Sequence, residues 1–406
     1  MHVRNSAMDQ PAGRVPSRWR RIDPLDWLRV GLLVAGLLAV AVGLLPWSDA
    51  RATGLRILPL LIFLGAVIVL AELAARAEVF DVIAIRLTIL ARGRNVVLFL
   101  LCVAFAAATT IFLNLDTTAV LLTPVMLATA VRAGIAPLPL AMTTVWLANT
   151  ASLLLPVSNL TNLLAMNRIR LNPMEFAARM ALPQLAALVV VGGCLWVFYW
   201  RRNPPRYRTP APVEPANRRV FLAAAAACLL FIAGIVVGLS IYWVSVVCAV
   251  GLGVAFWFWQ RDQLSWGLLP WRLLVFVTGL FLVVDTVGRH GLSDLMAFLI
   301  SSDPHAEGVT RAAVTGGVLS NVLNNLPAYV AGEAVVPIGN EEQLLGFLIG
   351  TNVGPLITPW ASLAILLWAE RCRSAGVAVP WTRFALTGAV TATLTLAASV
   401  AALLLQ

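Results

Sequence analysis

The chain has 406 residues, 60% hydrophobic and only 12% charged, with a net charge of +10 and a mean hydropathy of +0.88. An average soluble chain carries about 25% charged residues, so a water-soluble fold of this length is excluded. Nucleic acid is excluded as a partner, because the basic residues gather at the ends of apolar runs rather than on one polar face.

Residues 1–26 are rich in Arg and Pro and read as a disordered cytoplasmic tail. A first membrane repeat is expected over 27–200, with apolar runs at 27–45, 55–75, 95–112, 117–130, 138–166 and 178–200. The stretch 201–218 is too polar and proline-rich for a helix in lipid and reads as a cytoplasmic linker. A second membrane repeat follows over 219–406, with runs at 219–239, 241–259, 271–288, 309–337, 343–370 and 381–404. Segments 79–93 and 290–303 mix charged and apolar residues at helical spacing and read as interfacial helices. Lipid satisfies no stray amide, so the spans must be helical. The expected fold is an all-α polytopic membrane protein with two inverted structural repeats, re-entrant hairpins and broken helices.

Four apolar runs are interrupted by polar residues, Gly or Pro in a way that a lipid-facing helix does not tolerate. The breaks lie at 114–118, 149–162, 320–327 and 351–362. An offset of 203 pairs Asn149 with Asn352, Pro156 with Pro359 and Asn159 with Ser362; an offset of 208 pairs Asp116 with Asn324 and Thr117 with Asn325. Two polar breaks in the same order in each half indicate an internal repeat, with one scaffold span fewer in the first. If both hairpins enter and leave on one side, a single face holds 22 of the 29 Arg residues and is predicted cytoplasmic, with the N-terminus inside and the C-terminus outside.

Hairpin tips and broken helices meeting near the midplane gather helix N-termini, free carbonyls and small polar side chains, which suits a small solute or ion. The candidate site residues are Asn114, Asp116, Thr117, Asn159, Thr161, Asn162, Asn324, Asn325, Asn352 and Ser362. Asp116 is the sharpest of them, because a carboxylate at the centre of a lipid-facing helix costs about 2.5–3.5 kcal/mol and must face protein or water. It could also simply cap the second hairpin arm. Each Asn, Thr or Ser could bind cargo or re-satisfy broken backbone. Glu72, Asp81 and Asp285 sit near span ends, where a carboxylate is cheap, whereas Glu333 lies within the second hairpin arm. No cation is expected between the hairpin tips. Five scattered cysteines and three scattered histidines predict no disulfide framework, metal or cofactor site.

The segments FLNLDTTAVLLTPV (112–125), LPVSNLTNLL (155–164), NNLPAYV (324–330) and GTNVGPLITPWASLAILLW (350–368) resemble hallmark segments of the ArsB arsenite permease family. That family belongs to the ion transporter superfamily, which also holds sodium-coupled dicarboxylate carriers and some sodium/proton antiporters. The resemblance covers the chain from about residue 55 onward. It implies a scaffold domain beside a transport domain of hairpins and broken helices. The chain departs from the family at Leu356, where a Lys is usual, and in having one N-terminal span fewer.

The expected function is secondary active transport, as proton-coupled efflux of arsenite or antimonite with Asp116 as coupling carboxylate. Alternatives are a sodium- or proton-coupled carrier of carboxylates or other small anions, or a sodium/proton antiporter. No GxSxG, HExxH or GxGD pattern suggests an enzyme. The expected partners are a small inorganic or organic solute, a coupling proton or sodium ion, the bilayer of a bacterial inner membrane, and a second copy of the chain in a homodimer.

Overall fold

The computed structural model describes residues 24–406 except Ser302 and Pro304, so His2 and nearly all of the 1–26 tail lie outside the described residues. Those residues form helices and no strand beyond an isolated antiparallel bridge between Arg94 and Arg206. Eight of the helices are long and apolar enough to cross a membrane. The all-α polytopic architecture is therefore as expected.

Five helices form a scaffold: α1 (Pro24–Ala41), α2 (Trp47–Arg76), α10 (Arg218–Val236), α11 (Ile241–Trp259) and α12 (Trp271–Val287). Helix α1 lies along α12 so closely that a Cβ on Gly279 would fall 2.4 Å from the backbone nitrogen of Leu33. Small residues permit this approach, and close backbone packing is what holds helices together where lipid removes the hydrophobic drive. Helix α2 packs on both α10 and α11.

The remaining helices build two hairpins and two broken helices. After the short α3 (Val79–Leu90), the first hairpin runs up α4 (Asn95–Phe112), reverses at Asn114 and returns through α5 (Leu115–Thr117), a π-helical turn (Thr118–Leu122) and α6 (Thr123–Ala133). The first broken helix is α7 (Pro137–Thr150) and α8 (Leu160–Ile169), followed by α9 (Pro173–Leu195). In the second repeat, α13 (Ser293–Ile300) precedes the hairpin α14 (Ala306–Leu323) and α15 (Asn325–Glu333), then α16 (Glu341–Val353), α17 (Leu363–Ser374) and α18 (Trp381–Leu404).

The two sets run in opposite senses. The mouth of the first hairpin is tied to the linker, with Asn95 N donating to Pro205 O (3.0 Å) and Arg208 N to Ala133 O (3.3 Å). The mouth of the second lies at the other end, where Arg168 at the end of α8 donates to Val336 O (3.0 Å). Helices α9 and α18 are antiparallel, as Tyr199 meets Thr387 (2.8 Å) at one end and the Gln406 amide reaches Arg179 O (2.9 Å) at the other. Arg76, Arg94, Arg206 and Arg208 share the linker end, called here the Arg-rich face.

One expected pairing shifts. Asn114 (φ 155°, ψ 173°) and Asn324 (φ 114°, ψ 151°) both turn a hairpin tip in backbone space that glycine usually occupies, so they are the structural equivalents. The offset at the tips is thus 210 rather than 208, and Asp116 matches Leu326, not Asn324. The 203 offset at the broken helices holds, since Asn159 caps α8 and Ser362 caps α17.

Candidate functional site

Each tip asparagine stabilises its own unusual turn. Asn114 Oδ1 accepts Thr117 N–H (2.7 Å), and Thr118 Oγ1 donates to Asn114 O (2.9 Å). Asn324 Oδ1 accepts Leu326 N–H (3.3 Å) while its amide donates to Trp360 O (2.8 Å). The neighbouring Asn325 N–H donates to Ala361 O (2.8 Å), which fastens the second tip to the break between α16 and α17.

The broken helices leave backbone groups that buried side chains must satisfy. Asn162 Nδ2 donates to Ser152 O (2.6 Å) and Leu155 O (2.9 Å). Gln184 of α9 accepts Leu153 N–H (2.9 Å) and donates to Thr150 O (3.1 Å). Across the second break, Asn321 accepts Ile357 N–H and Thr358 N–H (both 3.2 Å) and donates to Gly354 O (2.8 Å). Gln184 and Asn321 repair the breaks and were not singled out in the sequence. A lone amide inside an apolar helix was the available signal for Gln184, and Asn321 lay in a recognised break without being singled out.

A knot joins the repeats. Asn352 Oδ1 accepts from Asn159 Nδ2 (3.0 Å) and Thr161 Oγ1 (2.8 Å), and Asn352 Nδ2 donates to Asn162 Oδ1 (2.7 Å). All four side chains are buried.

Between the tips lies a cavity of about 30 Å³ lined by Asn114, Asp116, Asn159, Asn324 and Asn325, with Phe63 and Phe276 of the scaffold closing one side. It has room for about one or two water molecules. Three side-chain atoms at the first tip are buried without a hydrogen-bond partner: Asn114 Nδ2, Asp116 Oδ1 and Thr117 Oγ1. Such a cluster is costly unless a water, an ion or a bound solute meets it. From the Arg-rich face, a vestibule of about 480 Å³ reaches Asp116 and Thr117, lined also by Arg29, Glu72, Arg272 and Glu370.

Five of the ten predicted residues therefore share the cavity, and Thr117 faces the vestibule beside it. Thr161, Asn162, Asn352 and Ser362 do not line the cavity. The first three form the knot together with Asn159, and Ser362 Oγ caps α17 by accepting Ile365 N–H (3.2 Å). No Arg, Lys or His lines the cavity between the tips, but buried Arg29 of α1 lies in the neighbouring vestibule and acts electrostatically on Asp116. Glu333 lies away from the cavity, paired with Arg56. Among the described residues, no group of three or more His, Cys, Asp or Glu could hold a metal ion.

The family model described as "Citrate transporter" (CitMHS) matches residues 26–365. This chain belongs to the CitMHS citrate transporter family. Its curated relatives include the arsenical pump membrane protein of Escherichia coli, 28% identical over 367 residues, covering 84% of this chain and 85% of that one. The protein of the same name from Yersinia enterocolitica is 28% identical over 366 residues, with the same coverage. A putative arsenical pump membrane protein of Bacillus subtilis is 21% identical over 385 residues, covering 85% and 87%. Among solved structures, the YdaH transporter of Alcanivorax borkumensis superposes with a TM-score of 0.55 at 14% identity, over 94% of this chain and 98% of that one. That likeness bears on the fold alone. This CitMHS member is a secondary transporter of the bacterial inner membrane, and the resemblance read from its motifs agrees with the names of its relatives.

Proposed function

We propose that this transporter exports arsenite or antimonite in exchange for protons, with Asp116 as the coupling carboxylate. The observation that carries the reading is the unpartnered trio Asn114 Nδ2, Asp116 Oδ1 and Thr117 Oγ1 at the first tip, beside the vestibule. Arsenite is a neutral trihydroxide at pH 7, so its hydroxyls can donate to Asp116 Oδ1 and accept from Asn114 Nδ2 without a charge cluster. The same carboxylate oxygen can take a proton instead, which makes binding of the two mutually exclusive. The relatives named as arsenical pumps support this cargo. The Arg-rich face, holding the vestibule, is the cytoplasmic one in this reading. The proposed domain division is two membrane repeats, 27–200 and 219–406, joined by the 201–218 linker.

A second reading has one observation in its favour. Arg29 in the vestibule suits an anionic carboxylate, and the family is named for citrate transport. The test is expression in a host lacking its own arsenical pump. Restored growth on arsenite, with proton-driven uptake into everted vesicles, supports the first reading. Citrate uptake without metalloid resistance supports the second.

A further inference from the structure

Helix α2 carries Asp49, Thr53 and Arg56 at spacings of four and three, which places them on one helical face near the end opposite the Arg-rich face. Each has a partner across a helix boundary. Asp49 pairs with Arg289, and Thr53 Oγ1 donates to Asp285. These two partners are themselves four residues apart, at the end of α12 and in the kink after it. Both links therefore bind scaffold to scaffold, and they make the end of α2 a fixed post.

The third link differs. Arg56 pairs with Glu333, the last residue of α15, which belongs to the second hairpin. The Glu333 side chain is only 2% exposed and that of Arg56 is 48% exposed. Arg168, at the end of α8, lies beside the same spot and holds the loop that follows through Val336 O. An ion pair thus joins a fixed scaffold helix to the hairpin whose other end, Asn324, lines the central cavity. Ala331 lies at the same end of α15, two residues before Glu333. Ala331 lines both the surface cleft at Asp49 and Arg289 and the apolar chamber that reaches Asn324. Ala331 is only 6% exposed, so this side chain is covered while the vestibule at the other end is open.

We infer that Arg56 and Glu333 form a latch that holds this end closed and must separate each time the site opens toward it. A transporter with one central site has to close one end while opening the other. A charge-assisted bond between the scaffold and the hairpin biases that equilibrium only if it exists in one state and not the other. The latch requires that opening at this end move α15 away from α2, which would part Arg56 from Glu333. The inference rests on the chain being a transporter and not on its cargo.

The test uses full-length protein in vesicles, in a background without native cysteines and carrying Ala331→Cys. Labelling by a membrane-impermeant maleimide is followed in right-side-out and inverted vesicles. Arg56→Gln and Glu333→Gln are each expected to label about five- to twentyfold faster than the parent from the end opposite the Arg-rich face. The charge swap Arg56→Glu with Glu333→Arg is expected to return the rate toward the parent's. Unchanged labelling in both neutralised variants overturns the latch. So does a swap that labels as fast as the single variants, because that pattern reports lost packing. If Glu333→Gln does not fold, Arg56→Gln with its half-exposed side chain decides the matter. Metalloid transport is not measured, so failure here leaves the cargo reading intact.

Discussion

Asn352 of the second repeat takes hydrogen bonds from Asn159 (3.0 Å) and Thr161 (2.8 Å) of the first, and gives one to Asn162 (2.7 Å). Its amide is used on both faces, so the two repeats are fastened through one side chain. Asn352→Leu keeps the size and removes all three bonds. Leaving a buried polar group unsatisfied costs about 1–3 kcal/mol, so a loss of roughly 3 kcal/mol is expected in thermal or denaturant unfolding of the purified protein. Parental stability would show that the knot holds nothing together.

Asp116→Asn retains the shape of the tip while removing the titratable group. The variant is expected to fold, because the tip is held by Asn114 and Thr118 rather than by Asp116. Proton-driven uptake in everted vesicles should fall at least about tenfold, equivalent to about 1.4 kcal/mol, with any residual flux independent of the pH gradient. Transport that still follows the gradient would reduce Asp116 to a structural role.

The linker is less loose than its composition suggests. Its first half is pinned across the hairpin mouth by Asn95 N to Pro205 O (3.0 Å) and Tyr207 N to Gly93 O (2.9 Å), whereas residues 211–214 are exposed. An insertion after Pro212 should leave expression and transport intact. The same insertion after Arg206 should lower stability by about 1–2 kcal/mol, the worth of one or two backbone hydrogen bonds. Protease added to inverted vesicles should cut within 209–214, and equal tolerance at both sites would show the pinning to be incidental.

Topology follows from charge. Reporter fusions after Arg206 and at the C-terminus should report opposite sides, the first cytoplasmic, because the topology expected from the sequence assigns 22 of 29 Arg residues to the linker face. Fusions reporting one side would contradict the antiparallel course of α9 and α18.

None of the five cysteines lines the central cavity. Replacing all five with Ala should therefore leave transport largely unchanged, although trivalent arsenic is thiophilic. Loss of transport from one replacement, with expression preserved, would place a thiol on the cargo path.

Several features were legible because they depend on local composition alone. A run of about 20 apolar residues crosses a bilayer whatever it packs against. A polar break inside such a run must be repaired by protein, so 114–118, 149–162, 320–327 and 351–362 announced the hairpins and broken helices. The caps Asn159 and Ser362 were visible for the same reason.

What the sequence by itself determined is thus the membrane class, the repeated pattern of breaks and the neighbourhood of Asp116. Tertiary structure decided which residues face the cavity and which act as fasteners. It moved the tip equivalence to Asn114 and Asn324, because backbone conformation rather than residue type defines that turn. It also brought Arg29 to the vestibule, Asn321 and Gln184 to the breaks, and Arg56 to Glu333. These partners lie tens to hundreds of residues apart, and helical periodicity specifies which face a residue occupies but not which helix will meet that face.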